Sequence, residues 1–131
     1  MNRNVAIETW PGNSGAMSRK GWHVLRDGAR VTVARQLPAR FDVVAETRLP
    51  SAGRARVAQQ VRQDIWRALQ GQRGFSPVVE IEMVEDGLRV RAGGRVAAAR
   101  FDRGGLEARI ADVLEAPENR RRWVRMAGGQ V

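Results

Sequence analysis

Apolar and charged residues alternate strictly over residues 79–83, where Val79, Ile81 and Met83 are separated by Glu80 and Glu82. The alternation resumes at Leu88 and Val90, interleaved with Arg89 and Arg91. A period of two marks a strand with one face in the core. Asp86-Gly87 between the two runs is a hairpin signal. A two-residue turn there pairs Met83 with Val90 on one face and Glu82 with Arg91 on the other, so acids and bases complement each other across the ladder. Gly93-Gly94 reads as another turn, leading into a strand that ends near Phe101.

The same grammar holds earlier in the chain. Residues 22–26 and 30–35 flank Asp27-Gly28 and read as a first hairpin. Leu37-Pro38-Ala39 then breaks the chain, and residues 41–47 read as a third strand. After Pro50-Ser51 the period changes. Val57, Val61, Ile65 and Leu69 recur every four residues beside Ala58 and Ala68, with Trp66 at the edge of that face. Arg56, Gln60, Gln63 and Arg67 lie opposite, which predicts an amphipathic helix ending near Gly71. Leu106, Ile110, Val113 and Leu114 predict a second. Pro117 fits the first turn of a last helix that stops at Gly128-Gly129.

The pattern predicts an α+β fold: a mainly antiparallel sheet of five or six strands, two amphipathic helices on one face and a short basic C-terminal helix. Certain words recur between the halves. Residues 24–31 resemble residues 83–90, Ala39-Arg40-Phe41-Asp42 recurs as Ala99-Arg100-Phe101-Asp102, and Ala55-Arg56-Val57-Ala58 echoes Ala108-Arg109-Ile110-Ala111. These words fit a βββα duplication. Ala-Arg words also arise easily in this composition, the spacings between the words are unequal, and two hairpins that share turn chemistry would give the same resemblance. Residues 1–20 are turn-rich and basic and read as a flexible arm. Residues 21–131 read as one domain, and a chain of 131 residues suffices for a hydrophobic core.

Charge adds a partner class to this architecture. The chain carries 23 Lys and Arg against 14 Asp and Glu, a net charge of +9. Lys20 is the only lysine. Codon bias in a GC-rich genome accounts for Arg in place of Lys, but not for the excess of bases over acids. An excess of this size suggests an anionic partner.

Candidate chemistry is sparse. There is no cysteine, which removes disulfides, thiolate chemistry and cysteine zinc sites. His23 stands alone and reads as structural. Two carboxylate pairs, Glu80 with Glu82 and Asp42 with Glu46, could meet as a Mg²⁺ site, but arginines beside Glu80 and Glu82 argue against it. No phosphate loop of recognised spacing is present. The expectation is a non-enzymatic protein with no cofactor and no metal. Nothing approaches a membrane span or a signal peptide, so the chain reads as soluble and cytoplasmic.

Two basic segments remain. Ser51 can cap the first long helix, and Arg54 and Arg56 occupy its first turn against the helix dipole. An anion held by the free N–H groups, Ser51 and Arg54 would relieve that conflict; exposed arginines could also simply be tolerated there. The second segment is Arg120-Arg121-Arg122-Trp123-Val124-Arg125. Arg121, Arg122 and Arg125 share one face of the last helix, while Arg120 falls on the apolar side. In one reading Trp123 docks on the core and Glu118 pairs with Arg122. In another the arginines hold phosphates and Trp123 stacks on a base. In a third the helix lies on a protein or an anionic membrane. The expected function is a small binding module for nucleic acid or a nucleoprotein assembly, through backbone-directed contacts. The competing expectation is an assembly or adaptor subunit, a homodimer through sheet edges being one form of it, whose charge only keeps it soluble.

Overall fold

The computed structural model describes residues 21–129. The arm expected over residues 1–20 lies outside the described residues. Element order is β1 (His23–Asp27), β2 (Arg30–Ala34), β3 (Val43–Leu49), α1 (Arg54–Leu69), β4 (Phe75–Val84), β5 (Gly87–Val96), α2 (Arg103–Glu115) and α3 (Pro117–Met126). The strands form one antiparallel sheet in the order β1-β2-β4-β5-β3. The fold is α+β, with α1 over β2 and β4, α2 over β3, and both helices on the same sheet face. The third helix, α3, packs against α1 and α2.

The core lies between sheet and helices. Val31, Val33, Val79, Ile81, Val90 and Ala92 come from the covered face of the sheet, and Val57, Val61, Ile65, Leu69, Ile110 and Leu114 meet them from the helices. Each set follows the period that predicted its element. Trp123 of α3 enters the same core and is inaccessible to solvent.

Two predicted features of the sheet are corrected. Gly93-Gly94 is not a turn. Both glycines lie inside β5, which runs straight through to Val96. A Cβ on Gly93 would overlap the Val43 carbonyl oxygen, and one on Gly94 would overlap that of Ser76. These glycines let the neighbouring strands approach. Residues 97–102 are irregular, so the expected strand up to Phe101 does not form and the sheet has five strands.

The second correction is register. Met83 opposes Leu88, and Glu82 opposes Arg89, with Glu80 opposite Arg91. The turn residues are therefore Glu85 and Asp86. Gly87 belongs to the ladder, where a Cβ would overlap the Leu49 carbonyl oxygen at the end of β3. A slip of two residues keeps every side chain on its face. The predicted complementarity survives with different partners: Arg89 bonds Glu82 at 3.4 Å and Arg91 bonds Glu80 at 3.0 Å.

Residues 24–31 and 83–90 both span a hairpin, with the two turns at different places in the word; one of the other two words falls on unlike structures. Residues 39–42 lie in the crossing that carries the chain from β2 to β3, whereas residues 99–102 lead into α2 and end in its N-cap, Asp102. The Ala55 and Ala108 words both lie on helices. The half after α1 contains two strands, not three.

Side chains from the helices finish the outer edge of β3. Glu107 accepts the Val44 backbone N–H at 2.9 Å, and Arg120 donates to the Thr47 hydroxyl at 2.8 Å and to the Arg48 carbonyl. Each outward backbone group taken in this way is one fewer for a pairing strand.

Candidate anion-binding surface

The two faces of the molecule treat arginine differently. On the sheet face without helices, Arg89 lies between Glu46 at 3.0 Å and Glu82 at 3.4 Å. Arg91 and Arg30 both reach Glu80, at 3.0 and 3.6 Å. Arg48 and Asp86 extend the series at the turn. The hydrogen bond from Arg89 holds the Glu46 carboxyl below its ordinary range. Glu80, Glu82 and Glu46 are thus neutralised by arginines, and Asp42 is tied to Arg40 and the Val96 N–H. Each carboxylate of the two pairs is engaged by an arginine, and among the described residues there is no group of three or more His, Asp or Glu that could hold a metal ion.

On the helical side, α3 packs against α1 around a hydrogen-bonded anchor at Trp123. The Trp123 indole donates from Nε1 to Asp64 Oδ2 at 2.7 Å, and Arg122 donates to the same oxygen. Gln60 of α1 donates to the Trp123 carbonyl at 3.2 Å. Trp123 therefore has no ring face for a base, which removes it from the candidate contacts. Arg122 pairs with Asp64 rather than with Glu118. Arg120, on the apolar side as expected, donates to Thr47, Leu114 and Arg48, so it holds α3 to β3 and is spent on the fold.

The start of α1 is likewise occupied. Its N-cap is Gly53, and Ser51 supplies no side-chain cap. The Gly53 N–H donates to the Ala127 carbonyl at 3.0 Å. The carbonyl end of α3 thus meets the N–H end of α1, and this alignment relieves the dipole conflict that an anion was expected to relieve. Arg54 turns away to donate to the Gly28 carbonyl at 3.0 Å in the first hairpin turn.

What remains on this side is Arg56, Arg121 and Arg125. All three are exposed, and none has a hydrogen bond or ion pair among the described residues. Arg121 and Arg125 lie one turn apart on α3, a spacing that puts both on one helix face. Arg56 lines a groove of about 620 Å³ between α1 and α3, along with Gln60, Gln63, Asp64, Arg67, Arg122 and Met126. Arg67 is 62% exposed and touches only Asp64, at 3.5 Å. Arg26, Arg73 and Arg100 are exposed and unpaired too, but they are scattered over β1 and two loops.

A second cationic region went unread in the sequence. A cavity of about 360 Å³ opens at one end of the sheet, lined by Trp22, Arg35, Arg40, Trp66, Ser76 and Arg95 among others. The guanidiniums of Arg62 and Arg35 lie 4.4 and 5.3 Å from the centre of the Trp22 ring. Burial first, and then repulsion from Arg35, push the Arg62 guanidinium below its ordinary value. Within the described protein, Nε of Arg62, Nε of Arg95 and Oγ of Ser76 are buried without a hydrogen-bond partner. Each such group costs roughly 1–3 kcal/mol. These residues come from the position before β1, the β2–β3 crossing, α1, β4 and β5, so no local run of sequence signals them.

No helix among the described residues is long and apolar enough to cross a membrane. No protein family, curated protein or solved structure matches this chain.

Proposed function

We propose that this protein is a non-enzymatic binding module for nucleic acid, which it engages through phosphate contacts on the α1–α3 face. The observation that carries the reading is the contrast in charge. Arginines on the open sheet face are matched by carboxylates, while Arg56 in the groove and Arg121 and Arg125 on the exposed face of α3 have no ion-pair partner among the described residues. Unmatched guanidiniums on a firm helical scaffold suit backbone phosphates, because they can form charge-assisted and bidentate bonds at little cost in prior ion pairs. With Trp123 buried, base stacking is not part of this face, so its recognition is backbone-directed.

The test is binding of the full chain to short labelled single- and double-stranded nucleic acids across a salt series. Binding should weaken steeply with salt. Replacing Arg56, Arg121 and Arg125 together by Ala should lower the slope of log K against log salt by about two to three, as expected for three lost phosphate contacts. Binding that is indifferent to salt and to this triple substitution would sink the proposal and favour a protein partner.

A further inference from the structure

The cavity at the end of the sheet is separate from the α1–α3 groove and has a different composition. Among the described residues that line it there are three arginines and no carboxylate. Arg40 is matched by Asp42 at 3.2 Å, and Arg95 bonds only the neutral Gln36, at 2.9 Å. Arg35 has no acceptor among the described residues; it lies against the Trp22 ring near the equally cationic Arg62. Asp42 is thus the one acid bonded to this set of four guanidiniums. Like charges crowded around a concave, partly desolvated site favour an incoming anion.

The cavity also offers an aromatic surface. Trp22 is nearly buried under its two arginines, but Trp66 at the rim is 43% exposed. A large aromatic ring on an otherwise polar helix face is left open where the cations converge. The volume suits one nucleotide rather than a helix or a peptide chain.

We propose that this cavity binds a nucleoside monophosphate unit, with the phosphate among Arg35, Arg40 and Arg95 and the base stacked on Trp66. The unit could be a free nucleotide or the 5′-phosphorylated end of a strand. The chemistry is shared: a phosphate dianion takes bidentate guanidinium bonds, and an indole face accepts any base.

The test follows the indole N–H resonances of the full-length protein while AMP, adenosine or inorganic phosphate is added to about 1 mM, where even weak binding is visible. The expected result is that AMP shifts Trp66 and Trp22 and leaves Trp123 in place. Arg35→Gln and Trp66→Ala should each weaken AMP at least about tenfold, the loss expected for one charge-assisted or stacking contact. The triple substitution at Arg56, Arg121 and Arg125 should leave AMP binding unchanged, so failure here is distinct from failure of the α1–α3 reading.

Absence of shifts at Trp22 and Trp66 in the wild-type protein overturns the proposal even if a variant does not fold. Adenosine binding as well as AMP overturns the phosphate contact, and phosphate binding as well as AMP overturns the stack. A short single strand that binds tighter than AMP, and only when 5′-phosphorylated, identifies a strand end as the source. Equal affinity for AMP and that strand identifies the free nucleotide.

Discussion

The open sheet face and the outer helical face are built from the same residue, arginine, with opposite results. On the sheet, cross-strand geometry sets Arg89 and Arg91 opposite Glu82 and Glu80, so each base meets an acid by register. On α1 and α3, Asp64 is already shared by Trp123, Arg122 and Arg67, and Glu118 in the first turn of α3 is exposed and makes no ion pair with them among the described residues. The arginines beyond it are left over. Net charge alone therefore says little about where a polyanion would sit; what matters is which cations the fold has not consumed.

Removing the anchor beneath the helical face should have the largest effect. Trp123→Ala empties a fully buried site and should cost about 3–5 kcal/mol, read as a fall in thermal midpoint. Asp64→Ala should cost less, roughly 1–3 kcal/mol, because it strands the indole N–H and frees Arg122. A loss as large as that of Trp123→Ala would mean that the polar anchor, not the ring, holds α3.

Smaller effects sharpen the contrast between faces. Arg89→Ala should lower stability less than Asp64→Ala and leave nucleic-acid binding unchanged, as measured by melting and by titration. Arg121→Ala should do the reverse, changing stability by no more than about 0.5 kcal/mol while weakening binding. If both variants weaken binding equally, the distinction between consumed and spare arginines fails.

The smallest effect is a pH dependence. The Val96 N–H, and then Arg40, hold the Asp42 carboxyl below its ordinary value, and Arg89 does so for Glu46. A carboxyl depressed in the folded state stabilises fully above its unfolded value of about 4 and loses that contribution as pH falls through the folded one. Asp42→Asn should therefore flatten the loss of stability below about pH 4, as followed by denaturant titration at several pH values.

Much of this architecture is written locally. Alternation at Val79, Ile81 and Met83 and four-residue spacing at Val57, Val61, Ile65 and Leu69 each name an element from its own residues. The apolar side of α3 could also be read, including Arg120 on it. Illegible features depend on what comes alongside from elsewhere in the chain. Gly93 and Gly94 resemble a turn because glycine marks both turns and close strand approaches, and only the position of Val43 and Ser76 separates the two. Ser51 looks like a cap, but the end of α3 had to arrive before Gly53 could be seen to hold that place. The partner of the Trp123 indole sits 59 residues away. The arginines around Trp22 are likewise dispersed in sequence, whereas the run at 120–125 is contiguous.

The strand order has a consequence for how the chain reaches this state. Strands β1, β2 and β3 come first in sequence, yet β2 pairs with β4 and β3 with β5, so the later hairpin is inserted between them. While the chain emerges from a ribosome, β3 has no neighbour to pair with and waits across the whole of α1. Such separated pairings raise contact order and slow folding. The sheet can be completed only when its middle, the last part of it to be made, arrives.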